Sequence, residues 1–179
     1  VVVVDVNKPP ITECEELLGM VKTIAVLDHH RQGSKAIENA VLSYVEPYAS
    51  STCEMVAEVL QYISDDIRLD PIEANCIYAG IMIDTNNFTN RTGVRTFEAA
   101  AFLRRNGADV THVHKIFRDD LEAYRAKAAI IGRAEIYRDC FIIARGAEED
   151  IESPTIVGAQ ASNELLNISQ VKAAFVLTE

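Results

Sequence analysis

The chain has 179 residues, 49% of them hydrophobic, enough for one large domain or two small ones with buried cores, which excludes a disordered polypeptide. Its formal net charge of −10 excludes the basic footprint of a duplex nucleic-acid binder, although bound metal would still supply local positive charge for a small anionic substrate. No apolar run approaches the ~18 residues of a membrane span and no signal peptide opens the chain, so this segment is expected to be soluble and without membrane contact.

Val1 to Val6 is a β-branched run, which predicts a strand covered on both faces, and Pro9-Pro10 ends it. A short acidic helix from Glu13 to Met20 follows, then a second strand from Thr23 to Leu27, making a β-α-β unit and a parallel pair. Val41 to Val45 reads as a third strand, stopped by Pro47. Ser50-Ser51-Thr52 precedes a helix with the period Met55, Val56, Val59, Leu60, Ile63. Ser51 and Glu54 fit a capping box, and the same helix start also suits a phosphate faced by N–H groups and hydroxyls.

Asp70-Pro71 begins a helix through Met82, with Ile72, Ile77, Tyr78, Ile81 and Met82 as its core face and Asp84 at its C-terminal end. A carboxylate there opposes the helix macrodipole, a local conflict of the kind functional sites carry. Arg91, in the polar loop Thr89 to Gly93, is either a solvated loop residue or a bidentate phosphate contact. Helices are expected over Thr96–Arg105 and Val110–Phe117, the latter carrying His112 and His114, which at i, i+2 spacing share no face and read as structural or solvent-facing. Arg118-Asp119-Asp120 marks a domain boundary, giving domains 1–118 and 119–179. Beyond it come a long helix from Leu121 to about Tyr137, a strand Phe141–Ala144, an acidic solvated loop Glu148-Glu149-Asp150, a helix opened by Ser153-Pro154 with apolar Val157, Ala161, Leu165 and Leu166, and a strand Ala173–Leu177. Cys14, Cys53, Cys76 and Cys140 show no paired spacing and read as buried free thiols of a reducing cytoplasm, not zinc ligands.

Three apolar runs end in acids: Val1–Val4 in Asp5, Thr23–Leu27 in Asp28-His29-His30, and Ile81–Ile83 in Asp84. An acid ending a buried element is costly unless paired, capped or bound to metal. Two of these elements are neighbouring strands of a parallel sheet, whose C-terminal edge is where ligands bind. Imidazole and carboxylate together suit divalent transition metals such as manganese, so the three sites predict one metal-binding cluster.

Asp5-Val6-Asn7-Lys8-Pro9, Asp28-His29-His30 and Asp84-Thr85-Asn86-Asn87-Phe88 resemble, in that order, the motifs of the DHH phosphoesterases. The stretches Tyr48 to Thr52, Asn90 to Thr92 and Arg95 to Ala100 are similar to the GdpP-type cyclic-di-AMP phosphodiesterases. The resemblance implies an α/β fold with a parallel-sheet DHH domain followed by a partial, smaller α/β DHH-associated domain. It implies two manganese ions and hydrolysis of cyclic di-AMP to the linear dinucleotide. By position, Asp5, His29 and Asp84 would ligate metal, Asp28 would orient the histidines, His30 would face the substrate phosphate or leaving oxygen, and Arg91, Ser51 and Thr52 would contact substrate. The family also carries an earlier strand with a His and two Asp, and a later Gly-rich segment containing a His. Lacking both, the chain is expected to be an inactive or weakly active fragment that holds at most one ion weakly, from a cytoplasmic region of a parent that upstream segments tether to the membrane. Rival expectations are a phosphoesterase for short linear oligonucleotides and a non-catalytic nucleotide-binding module; the oligomeric state, a homodimer included, stays open.

Overall fold

In the computed structural model the described residues are 1–64, 66–146 and 153–178. They form two compact units, Val1–Ile116 and Phe117–Glu179.

The first unit holds a parallel sheet of β1 (Val2–Val4), β2 (Ala25–Asp28) and β3 (Leu42–Val45), in that spatial order. Val4 lies opposite Leu27 and Leu27 opposite Tyr44, so β1 and β2 end at the same edge. Pro9 and Pro10, with fixed φ and no N–H, turn the chain into a 3-10 turn, Pro9–Ile11, before α1 (Glu15–Met20). Val3 and Val26 pack with Leu18, Ile24 and Ile37. The first strand is shorter than expected and is not covered on both faces: Val2 is 64% and Val4 49% exposed, on an edge strand. A β-branched run reports strand preference, while coverage depends on position in the sheet.

Four helices complete this unit. In α2 (Thr52–Ile63) the Ser51 hydroxyl accepts from the Glu54 amide at 2.9 Å. The reciprocal half of the expected box is replaced, because the Glu54 carboxylate takes the Ser50 hydroxyl at 2.5 Å. In α3 (Pro71–Asp84) Asp70 and Glu73 form a full capping box with Pro71 in the first turn, and Asp84 is the last helical residue. Ile81, Met82 and Tyr78 are buried as expected, whereas Ile72, in the first turn, is 72% exposed. α4 (Val94–Arg105) starts two residues earlier than the sequence suggests, because Thr96 receives the Gly93 amide on its hydroxyl and so caps a helix whose N-cap has no side chain. α5 (Val110–Ile116) leaves His112 and His114 exposed. Ile81, Leu103, Val113, Met82 and Tyr78 form the core of these helices.

The second unit places α6 (Leu121–Gly132) and α7 (Pro154–Leu166) with a sheet of β4 (Glu135–Tyr137), β5 (Phe141–Arg145) and β6 (Ala173–Leu177), ordered β4-β5-β6. Asp120 caps α6 through the amides of Glu122 and Ala123, each at 2.8 Å. The helix expected to reach Tyr137 stops at Gly132, and Glu135–Tyr137 instead pairs antiparallel with β5. The turn between them uses left-handed Arg138 and Asp139, a conformation that helix propensity does not reveal. Ile130, Ile142, Ala161 and Leu165 are the core. The acidic run Glu148-Glu149-Asp150 lies outside the described residues. Among those residues no helix is long and apolar enough to cross a membrane. All four cysteines are free, but none is fully buried: Cys14 and Cys76 are exposed, and Cys53 and Cys140 are partly covered, since helical spacing among apolar neighbours does not say which side of the helix faces the core.

Candidate metal centre

Asp5 leaves the end of β1 in the left-handed region, φ 65°, while its amide still donates to the Leu27 carbonyl at 3.0 Å. Asp tolerates that conformation better than most residues, and it turns the carboxylate out of the strand. Asp28, the last residue of β2, is fully buried, and a buried carboxylate requires donors. It has three: Asn7 Nδ2 at 2.6 Å, the His30 amide at 3.1 Å and His30 Nδ1 at 2.8 Å. Because a carboxylate only accepts, the last contact puts a proton on Nδ1 of His30 and directs its chemistry through Nε2.

His29 sits between two acids. Its Nε2 is 3.5 Å from Asp5 Oδ1 and 3.7 Å from Asp84 Oδ2, with its ring edge-on to His30 at 4.4 Å between centroids. Donors that share one cation at bonds of about 2.1 Å stand about 3–3.5 Å apart, close to these separations. One donor atom from each of Asp5, His29 and His30 lies within 4.8 Å of the others. The expected Asp5, His29 and Asp84 are therefore brought together, and His30 joins them.

Asp84 ends α3 against the helix dipole. Its carboxyl is pushed above the usual range first by burial and then by the Asp5 charge, while His29, His30 and Arg91 pull it back. Asn86, Asn87 and Phe88 follow, all left-handed, with φ of 47°, 57° and 62°. Each costs of the order of 1–2 kcal/mol without a compensating contact. Buried Thr85 holds the turn: its hydroxyl donates to the Ile81 carbonyl at 2.6 Å and accepts the Phe88 amide at 3.0 Å, and its carbonyl takes the amides of Thr89 and Asn90. Phe88 packs between Tyr78 and Phe97. Arg91, left-handed at φ 55°, is exposed beyond this turn.

Ser51 and Thr52, expected at a phosphate, lie at the start of α2 and are buried. The Ser51 hydroxyl is engaged by the Glu54 amide, and Thr52 Oγ1 donates to Asp5 Oδ1 at 2.8 Å. Cys53, next in the helix, has its thiol pushed up to about 11 by burial and by the charges of Asp84 and Asp5, so it stays protonated near neutrality. Arg95 from α4 grips Glu58 with two bonds of 2.7 Å and lies 4.0 Å from both Glu46 and Glu54. The Glu58 hydrogen bonds raise its already high pKa.

Sequence reasoning missed Asn7, Ser50, Glu54 and Glu58 as parts of this site. Asn7 stood two positions after Asp5, but its link to Asp28 exists only through strand pairing. Asn7 Oδ1 is the buried side-chain polar atom without a hydrogen-bond partner among the described residues.

Fold and cluster together define an α/β protein with carboxylates and imidazoles gathered at the C-terminal edge of a parallel sheet. The family model "DHH family, N-terminal domain" matches residues 1–81. The chain is 41% identical over 177 residues to the cyclic-di-AMP phosphodiesterase PdeA of Listeria monocytogenes, and 42% identical over 178 residues to the cyclic-di-AMP phosphodiesterase GdpP of Geobacillus thermodenitrificans. Each alignment covers 99% of this chain and 27% of the relative, so the chain spans about a quarter of these proteins' length. A crystal structure of an exopolyphosphatase-related protein from Bacteroides fragilis superposes with a TM-score of 0.80 at 22% identity, over 97% of this chain and 54% of that one, a likeness of fold. Residues 1–81 carry the DHH-family N-terminal domain. Over nearly its whole length the chain is similar to the GdpP and PdeA phosphodiesterases.

Proposed function

We propose that the protein is a manganese-dependent phosphodiesterase that hydrolyses cyclic di-AMP to the linear dinucleotide in the cytoplasm. The convergence of Asp5, His29 and Asp84, with His30 beside them, supports this reading above all else. The donor set fits a divalent transition metal of the harder kind: carboxylate oxygens and imidazole nitrogens, with the neighbouring Cys53 held as a thiol by burial. Asp5, His29 and Asp84 would hold the metal. When bound, the ions supply a water of lowered pKa and neutralise charge on the phosphoryl oxygens. Four free cysteines agree with a reducing compartment.

The chain's own residues divide the remaining work. Asp28 holds the Nδ1 proton of His30 and stabilises the imidazolium, so that Nε2–H faces the leaving ribose oxygen and donates a proton as the phosphorus–oxygen bond breaks. Arg91, on the loop beyond Asp84, takes the non-bridging phosphate oxygens. Left-handed Asn86, Asn87 and Phe88 set the path of that loop.

The test is hydrolysis of cyclic di-AMP and of linear pApA by the full-length protein with added manganese, with products separated by chromatography. The linear dinucleotide is the expected product from the cyclic substrate. Asp5→Asn or His29→Ala should lower kcat/KM by at least the roughly 100-fold that changes outside the ligand shell reach. Turnover insensitive to chelators would overturn the metal reading. Much faster cleavage of pApA than of the cyclic form would make the enzyme an oligonucleotide phosphoesterase.

A further inference from the structure

Asp5 is the most exposed of the clustered acids, with its side chain 56% accessible, and it stands on a left-handed backbone at the end of an edge strand. Nothing in β1 itself prevents its carboxylate from rotating. The restraint comes from α2. Thr52 Oγ1 donates to Asp5 Oδ1 at 2.8 Å, and this is the oxygen that lies 3.5 Å from His29 Nε2 and 4.0 Å from His30 Nδ1.

A helical threonine usually turns its hydroxyl back to a carbonyl three or four residues earlier. Thr52 is the first residue of α2, with no preceding turn to accept it, so the proton goes outward. A hydroxyl carries one proton, and donating it to Asp5 leaves none for a substrate phosphate. The β-branched side chain is stiff at χ1 and buried, so the donor has little freedom to follow a moving carboxylate.

The first turn of α2 is itself pinned. Ser51 caps it through the Glu54 amide, and the Ser50 hydroxyl closes on the buried Glu54 carboxylate at 2.5 Å. One turn further, Arg95 of α4 holds Glu58 with two bonds of 2.7 Å.

We propose that Thr52 is a positioning residue: its hydroxyl fixes the orientation of Asp5 toward the metal, and the Ser50–Glu54 and Arg95–Glu58 pairs fix Thr52. The inference rests on the metal reading above. It assigns the threonine to the ligand and not to the substrate.

The experiment measures manganese binding by the whole chain, from loss of the free Mn2+ electron paramagnetic resonance signal, for wild type, Thr52→Val and Thr52→Ser. Melting of the metal-free proteins is followed by circular dichroism. Thr52→Val should melt with the wild type yet bind Mn2+ about 10–100-fold more weakly, the range for residues that orient a ligand. Thr52→Ser, which restores the hydroxyl, should return near wild-type affinity. Thr52→Ala should repeat the loss without adding a branched apolar group, and it replaces valine if that variant does not fold. Equal Mn2+ affinity in wild type and the hydroxyl-less variants would overturn the proposal and leave the metal reading standing. A serine variant as weak as valine would also overturn it. Wild-type protein that binds no Mn2+ would sink the metal reading, and this inference with it.

Discussion

Asp84 shows how a half-buried acid opposes the stability of its own fold. Its pKa is raised in the folded chain, chiefly by burial, so the folded state prefers the protonated acid. The metal-free protein is therefore penalised once pH rises through the folded value, and the penalty disappears below the unfolded value near 3.8. The side chain is one-third exposed, so solvent screens much of the effect. Asp84→Asn should raise the melting temperature of metal-free protein at pH 7 by about 1–2 °C, on the scale of about 0.5 kcal/mol, with the gain vanishing as pH falls below 3.8. Scans at several pH values check this, and a gain independent of pH would contradict it. Asp28 is the contrasting acid: fully buried, it is offset by three donors. The sequence marked both acids as unusual by their place at the end of apolar runs. It did not separate the acid held by three hydrogen-bond donors from the one that faces an imidazole at 3.7 Å, because Asn7 reaches Asp28 only across paired strands.

At the scale of elements, α2 and α3 touch closely where Gly80 faces Cys53. A Cβ on Gly80 would stand 2.2 Å from Cys53 Sγ, a distance no real contact sustains. The absent side chain lets the helix that carries Thr52 lie against the helix that carries Asp84. Gly80→Ala should destabilise the chain by about 1–3 kcal/mol, the usual cost of overpacking. Cys53→Ala in the same chain should recover most of the loss, since it removes the clashing sulfur. Denaturant titration of the single and double variants reads this; a single variant as stable as wild type would refute the contact. Helix α3 was legible from Asp70 and Pro71, which act within one turn, and the structure adds Glu73 to the cap. The end of α6 was not, because Glu135–Tyr137 becomes a strand only by pairing with β5.

Among the described residues each unit has core of its own: around Ile81 with Leu103 and around Ile24 with Val26 in Val1–Ile116, and around Ile130, Ile142 and Leu165 in Phe117–Glu179. The cluster of Asp5, His29 and His30 belongs to Val1–Ile116. Ile142→Ala should cost about 2–5 kcal/mol in Phe117–Glu179, yet leave Mn2+ affinity unchanged. Calorimetry and Mn2+ titration of that variant test it, and weakened binding would show that the cluster depends on the second core. By itself the sequence determined that apolar elements end in Asp5, Asp28 and Asp84, that two histidines follow the second of them, and that the fold is α/β. These are properties of neighbouring residues: side-chain size, strand or helix preference and the reach of a cap. Only the tertiary structure decided that His29 stands between Asp5 and Asp84, that Thr52 donates to Asp5, and that the first strand lies exposed at an edge. Those outcomes depend on strand register and on the contact of helices far apart in the chain, and no local spacing encodes which side chain will meet another across them.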